Sequence, residues 1–520
     1  METKINFRWL SPPLLLALSS LLSRLLGVFR DHLLAKTFGA TLGTGIYNLD
    51  SYYAAFRIPD LLYNLIIFGA LSASFIPIFA QYKKKGDWKN AWEFASSMLH
   101  LMLIAMGVLA GVAYIFAPYL AKLVAAGFPP EKMELTIYLM RIMLISPLLF
   151  GFSAILTSIQ DSMNCFFFRS IGPLFYNLGI IAGIVFFGQQ FGVIGVTWGV
   201  VFGAALQWIV QLPSLRQTRF RHFWILGIFR PDTRKAFRLM IPRLLGLSLS
   251  QIALVANTLI ASFLTTGSLT IFYLADNLQS LPVGVIGISF AIASFATLSE
   301  LAAEKNQSYF AQELARVIHQ ILFLIIPATV GMILLRQEII QLILRSGQFN
   351  AQDAMLTAQV LFFLLLSLFA QSLIPVLGRA FFAHHDTKTP LWIGLVSFTV
   401  NIFSSYLLAI VYSFGIIGIA IAYTLDNFTK FILMAFLLHK KIRHPFLYGK
   451  RLALIITASA LMGGLLFVLK TLTPFINASR SVLAASVGVY SMVGVVIYFW
   501  ICKIFRIPEV AILLKRFSRN

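Results

Sequence analysis

Long apolar runs alternate with short polar interruptions along the whole chain. A membrane crossing takes about 20 predominantly apolar residues, and fourteen runs reach that length. The first six cover about 12–38, 47–81, 92–118, 134–160, 171–189 and 192–213. Six more cover about 239–264, 270–300, 309–335, 352–383, 390–413 and 415–438, and two follow at about 452–471 and 482–504. Several exceed the minimum, which predicts tilt, kinks or ends that project beyond the bilayer. The pattern predicts an all-α polytopic membrane protein.

The polar interruptions set the orientation. Lys83, Lys84, Lys85 and Lys89 follow the second run. Arg216, Arg219, Arg221, Arg230, Arg234, Lys235 and Arg238 surround the connection between the sixth and seventh. Lys440, Lys441, Arg443, Lys450 and Arg451 follow the twelfth, and Lys503, Arg506, Lys515, Arg516 and Arg519 end the chain. All follow even-numbered runs, so the positive-inside rule places both termini in the cytoplasm. Segment 214–238 interleaves its basic residues with Phe220, Phe223, Trp224, Ile225 and Phe229. It reads as an amphipathic linker on the anionic inner leaflet. The first run continues into charged sequence without a small-residue cleavage site, so it is expected to stay as a membrane helix.

The runs also repeat at an offset of about 220 residues. Ala-Ala-Gly-Phe (125–128) echoes Arg-Ser-Gly-Gln-Phe (345–349), Gly172-Pro173 echoes Thr389-Pro390, and Phe-Gly-Val-Ile-Gly-Val (191–196) echoes Phe-Gly-Ile-Ile-Gly-Ile (414–419). Ala-Ser-Phe recurs at 73–75 and 293–295. Six spans per copy give both copies one orientation, as in transporters built from parallel halves. The expected organisation is a lobe at 1–213, the linker at 214–238, a second lobe at 239–438, and two further helices with a basic tail at 439–520.

Composition agrees with this class. The 520 residues are 59% hydrophobic and 12% charged, against about 25% charged in soluble domains. Mean hydropathy is +0.85. A net charge of +22 would suggest nucleic acid in a soluble protein, but here the cations cluster between spans and no nucleic-acid partner is expected. Cys165 and Cys502, both near the cytoplasmic side, predict neither disulfide nor metal site. No phosphate-binding loop, His-Glu-x-x-His, Gly-x-Ser-x-Gly or paired Cys-x-x-Cys occurs, so ATP hydrolysis by a phosphate loop is not expected. His384-His385-Asp386, at the basic end of the tenth run, reads as a loop. It is also the one cluster on which a membrane glycosyl- or acyltransferase would rest.

The candidate chemistry lies in the charges inside the spans. Arg24, Arg30, Asp31, Asp50, Arg57 and Asp60 all fall between Ser23 and Pro77. One such charge at a helix centre costs about 2.5–3.5 kcal/mol on insertion scales, so this stretch should face a shielded, watery interior. Arg24 and Asp31, seven apart, share a face, and Arg30 lies about 120° from Arg24. Pairing Asp31 with either arginine leaves net positive charge. Arg243, beside Pro242, would add a cation from span seven, with Arg141 and Arg379 as weaker candidates. Such a cluster suits an anion, above all phosphate, which guanidinium binds in a bidentate manner. Plainer roles compete. Arg57 and Asp60 flank Pro59 and would satisfy a helix broken there, Asp50 would cap span two, and Arg243 and Arg379 would anchor at the interface. Gly192, Gly195 and Gly199, like Gly415 and Gly418, suggest close helix packing. Asp276, Asn277, Asn401 and Asp426 carry oxygens suited to a hard cation. Asn401 and Asp426 are therefore weak candidates for a coupling Na+, with H+ the alternative ion, and no other cofactor is expected.

The run Ser23-Arg24-Leu-Leu-Gly27-x-x-Arg30-Asp31, with Phe38-Gly39-Ala40, Asp50, Ala55-Phe56-Arg57-Ile-Pro59 and Gly69-Ala70-Leu-Ser72-x-x-Phe75-x-Pro77, resembles the MurJ (MviN) lipid II flippases. Gly246-x-Ser248-x-Ser250-Gln251 and Pro282-x-Gly284-Val-x-Gly287 extend the resemblance into the second lobe. That family belongs to the multidrug/oligosaccharidyl-lipid/polysaccharide exporter superfamily. The resemblance implies a transporter of the bacterial inner membrane that moves lipid-linked peptidoglycan precursor by alternating access, and nothing in the sequence demands more than a monomer. The resemblance also implies a cationic cavity in which Arg24 and Arg30 engage the pyrophosphate and Asp31 sets their geometry or the gate. Beside these, Arg57 and Arg243 are further candidates for substrate binding, Arg243 in place of the missing span-eight cation. Asp50, Asp60 and Asn277 are candidates for support or gating. The two extra helices would hold the prenyl tail, alongside membrane phospholipid. The chain departs from the family pattern at Asn277 in span eight, at Tyr63 and Asn64 in span two, and at Phe68 before the Gly-Ala motif. The alternative is export of another prenyl-linked oligosaccharide or of a small molecule. A cationic drug would call for an acidic cavity.

Overall fold

The computed structural model describes residues 12–41, 45–64, 72–304, 306–472 and 479–510, and only the backbone of 12–14, 17, 46, 72–73 and 241–250. Every regular element among them is helical. Packing divides the chain into two units.

The first unit runs to Thr270 and adds Gly347–Phe349. It holds α1 (Pro12–Phe38), α2 (Leu49–Tyr63), α3 (Ser72–Lys85), α4 (Trp88–Ile115), α5 (Ala117–Ala125) and α6 (Pro130–Met143). It continues through α7 (Ile145–Ser162), α8 (Phe166–Ala182), the short α9 (Gly188–Phe191), α10 (Val193–Gln211), α11 (Pro213–Thr218) and α12 (Pro231–Ser262). The polar residues that break the apolar runs start these helices. Asn48 Oδ1 accepts from Ser51 N at 3.3 Å to open α2, and Asp87 Oδ1 accepts from Asn90 N at 3.2 Å to open α4; each satisfies an otherwise unpaired backbone donor. An aromatic core of Phe75, Phe79, Phe94 and Trp92 ties α3 to α4, with ring centroids 5.2–5.4 Å apart.

The second unit holds most of α13 (Ser268–Pro282), then α14 (Ser289–Ala303), α15 (Gln307–Ile343), α16 (Ala351–Leu366), α17 (Leu368–Ala383), α18 (Lys388–Tyr406), α19 (Ile416–Ile442), α20 (Gly449–Leu472) and α21 (Arg480–Ile504). The last two pack on α15, where Tyr498 Oη donates to the Phe323 carbonyl at 2.8 Å. Lys470 Nζ bonds the Leu334 carbonyl and pairs with Glu338, each at 2.8 Å.

Among the described residues, ten helical stretches are long and apolar enough to cross a membrane, or eleven when α16 and α17, bent by 43°, count as one. Expected runs one, two and seven correspond to α1, to α2 with α3, and to α12. Charges interrupt the first, and residues 65–71, including Phe68, Gly69 and Ala70 of the motif, lie outside the described residues. The expected run four is two helices meeting at Leu144, and run ten breaks equivalently at Ser367.

The repeat has a structural counterpart. A π-helical turn at Gly183–Phe187 precedes Gly192, and another at Leu407–Val411 precedes Gly415. Both glycines take φ of 59°, in the left-handed region that side chains avoid, and each starts the next helix. The repeat sets a sequence boundary at 239, whereas the packing boundary falls at Thr270, because α12 packs on α3 and α5.

The linker is amphipathic without being a helix. After α11 it runs irregularly along α4, where Phe223 N donates to Ser96 Oγ at 3.1 Å, His100 Nδ1 meets the Ile225 carbonyl at 2.9 Å and Arg230 pairs with Glu93 at 2.6 Å. Trp224, Leu226, Ile228 and Phe229 are left exposed.

Close glycine packing is real at α8 and α10. A Cβ at Gly199 would lie 2.7 Å from Gly183 Cα. Gly199→Val should therefore force the helices apart, at about 1–3 kcal/mol for overpacking. We expect a lower melting temperature and reduced monodisperse yield in detergent, with Gly107→Val, which has nothing within 4 Å, as the neutral control.

Candidate functional site

The half-buried Arg30 on α1 is fixed from two sides. Its Nε and Nη2 donate to Asp31 Oδ1 at 3.1 and 2.9 Å, and its Nη1 donates to Asn177 Oδ1 on α8 at 3.2 Å. Asn177 is held in turn, since its Nδ2 donates to the Pro173 carbonyl at 3.1 Å and to Ser23 O and Oγ at 3.3 Å. Asp31 is 5% exposed. The geometry selects Arg30, not Arg24, as the partner of Asp31. Of the five guanidinium N–H groups, three are spent, and one on each terminal nitrogen is left for an acceptor among the described residues.

Arg24 faces elsewhere. It lines a cavity of about 480 Å³ between α1, α7, α8 and α10, together with Arg169, Ser153, Gln207 and Gln211. Arg169 pairs with Asp161. It stands at the start of α8, outside the charged α1–α2 stretch, which is why its position in the wall was not evident from the sequence.

Asp50 is 2% exposed and occupies a separate site. Its Oδ2 accepts from Lys132 Nζ at 2.8 Å and from Gly267 N at 2.7 Å, and its Oδ1 accepts from Thr270 N at 2.9 Å and Thr270 Oγ1 at 2.7 Å. The helix cap expected of Asp50 is supplied by Asn48; Asp50 instead staples α2 to α6 and to the α12–α13 turn. Next to this staple the end of α1 is closely covered. Gln348 N donates to the Lys36 carbonyl at 2.9 Å, and a Cβ on Gly39, Gly267 or Gly347 would collide with backbone atoms at 2.2–2.8 Å. Lys132, Thr270 and Gln348 carried no sequence signal, since each is an ordinary polar residue near a helix end.

Arg57 and Asp60 sit half-buried on α2, which continues as helix through Pro59, so the expected break is absent there. Arg243 lies in α12, but its side chain is outside the described residues. Asn277 is on α13 in the second unit, its carbonyl accepting from Ser280 Oγ at 2.8 Å. Arg141 turns to α4 and covers the Tyr114 ring at 5.1 Å, and Arg379 bonds the Pro375 carbonyl of its own helix at 3.4 Å. Asn401 is buried with neither amide atom hydrogen-bonded, whereas Asp426 pairs with Lys430 at 2.7 Å, so an ammonium already neutralises that candidate cation ligand. Among the described residues no three His, Cys, Asp or Glu side chains gather as a metal site. At the His384–Asp386 loop, burial opposes charge on Asp386, but bonds from Lys441 and Thr389 outweigh it and hold the carboxyl below its ordinary value. His384 packs on Phe310, which makes this loop a structural corner.

A family model described as "Lipid II flippase MurJ" matches residues 34–503. The probable lipid II flippase MurJ of Buchnera aphidicola subsp. Acyrthosiphon pisum is 31% identical over 441 residues, covering 83% of this chain and 84% of the relative. That of Thermotoga maritima is 28% identical over 505 residues, covering 96% and 98%. Among solved structures, a lipid II flippase MurJ in an inward closed conformation matches with a TM-score of 0.79 at 24% identity, covering 94% of this chain and 98% of that one. An inward-facing multidrug resistance MATE family transporter of the MOP superfamily matches with a TM-score of 0.67 at 16% identity, covering 81% and 94%. The two structural likenesses speak for the fold.

Proposed function

The chain belongs to the MurJ lipid II flippase family, and on that premise we propose that it carries lipid II from the cytoplasmic to the outer leaflet of a bacterial inner membrane. It is a transporter and not an enzyme. The observation that carries the reading is the Arg30 clamp. Asp31 and Asn177 hold the guanidinium with one N–H on each terminal nitrogen unspent, which suits two oxygens of a pyrophosphate. Arg24, six residues earlier and about 9 Å down the helix axis, supplies a second cation. On the orientation argued from the basic loops, the Asp50 staple closes the outer end, so the cargo enters from the cytoplasm and leaves when that closure opens. The return is biased by the membrane potential, about 2.3 kcal/mol per charge per 100 mV, or by a coupling Na+ or H+.

The test uses cells depleted of their own lipid II flippase and supplied with this protein. Lipid II should become accessible to an externally added lipid II-cleaving toxin with the wild type, and exposure should fall at least about tenfold with Arg30→Ala or Arg24→Ala, the scale of losing a charge-assisted hydrogen bond. Exposure by all three would discard the arginine site and keep the function. No exposure by correctly inserted wild type would transfer the reading to another prenyl-linked oligosaccharide.

A further inference from the structure

The cavity beside Arg24 has a lining that a pyrophosphate does not need. One of its two guanidinium groups, Arg169, is already paired with Asp161. The rest of the polar wall is uncharged hydroxyl and amide, including Ser153 and Thr157 on α7 and Gln207 and Gln211 on α10. Part of it is aromatic, with Tyr63 and Phe150 rings 4.7 Å apart. Gln211 is 1% exposed, and its Oε1 has no hydrogen-bond partner. A buried amide oxygen calls for a donor. Gln207 Nε2 donates to Ser153 Oγ at 3.3 Å, which leaves the Ser153 hydroxyl hydrogen to give away. Gly172 lets α8 lie this close to the two amides, since a Cβ there would come within 3.1 Å of Gln211 Nε2 and 3.3 Å of Gln207 Cγ.

We propose that this cavity is the subsite for the amino-sugar part of the cargo, with Gln211 and Ser153 reading its amide and hydroxyl groups. The proposal rests on the flippase reading above. Sugar rings present hydroxyls and acetamido N–H groups around an apolar face, which matches a wall of acceptors and donors beside aromatic rings. Arg24 stands in the same wall and joins this subsite to the Arg30 clamp further along α1.

The full chain in nanodiscs is titrated with lipid II and, separately, with the same polyprenyl pyrophosphate lacking sugars. Gln211→Leu should weaken lipid II by about tenfold, the scale of one lost buried hydrogen bond, and leave the sugar-free lipid unchanged. Gly172→Ala should do the same by displacing the Gln211 and Gln207 side chains, and Arg30→Ala should weaken both lipids. Retained binding of the sugar-free lipid shows that each variant is folded. Lipid II affinity unchanged in both cavity variants, or both lipids weakened alike, would overturn the subsite. Wild type that binds neither lipid would overturn the flippase reading, and the subsite with it.

Discussion

On the proposed orientation, Asp50→Ala should open the outer closure and stop transport. The carboxylate is the common acceptor for an ammonium, two backbone N–H groups and a hydroxyl. Removing it leaves Lys132, whose side chain is 10% exposed, as a buried cation without that counter-charge. Breaking a buried pair from one side costs about 3–5 kcal/mol. The variant relieves this loss by separating α2 from the α12–α13 turn, so the closed arrangement should lose population. The check is labelling of Gln348→Cys, in a background with Cys165 and Cys502 changed to serine, by a membrane-impermeant maleimide applied from outside. Asp50→Ala should raise the labelling rate at least about tenfold, as that energy allows, with Asp50→Asn between it and wild type. An unchanged rate together with full lipid II exposure would remove Asp50 from the gate.

Asp31→Ala should disable the protein as thoroughly as Arg30→Ala. The substitution takes away two of the three bonds that aim the guanidinium and strands a half-buried cation, again on the scale of about 3–5 kcal/mol. Arg30 would then reorient toward water or other acceptors, and its unspent N–H groups would no longer converge. Polyprenyl pyrophosphate binding should fall at least about tenfold. The double variant Arg30→Ala with Asp31→Ala should be no worse than either single one, because the two act as one unit. Additive losses would mean that Asp31 works through some other group.

Much of this was readable before any coordinates. The apolar runs and the basic interruptions mark a membrane transporter, and the charges of the first span single it out as the candidate site, because a charge in a membrane helix is expensive wherever it stands. The repeat was legible too, since Gly192 and Gly415 sit where the backbone turns into the left-handed region. What the sequence hides is partnership. Asn177 lies 147 positions from Arg30, and Thr270 lies 220 from Asp50; nothing local in either residue announces the bond. Spacing could pair Asp31 with Arg24 or Arg30, and only the rotamer of Arg30, whose Nε and Nη2 both reach Asp31, decides it. Pro59 looked like a break because proline removes one helical hydrogen bond, yet α2 passes through it. Gln211 was silent for a different reason, since a glutamine at the end of an apolar run is ordinary until its oxygen is found buried and unmatched.

The π-helical turns ahead of Gly192 and Gly415 carry one more consequence. Each turn winds one residue more than α-helix would over the same height, just before the glycine that starts the next helix. At these points the chain holds a spare position. Loss of one residue within Gly183–Phe187 or Leu407–Val411 can be absorbed by rewinding to α-helix, with the following glycine keeping its place. Gain of one has no such outlet, and would rotate everything beyond it by about 100°. Length change in these helices is therefore asymmetric: evolution can shorten them here, and can lengthen them only elsewhere.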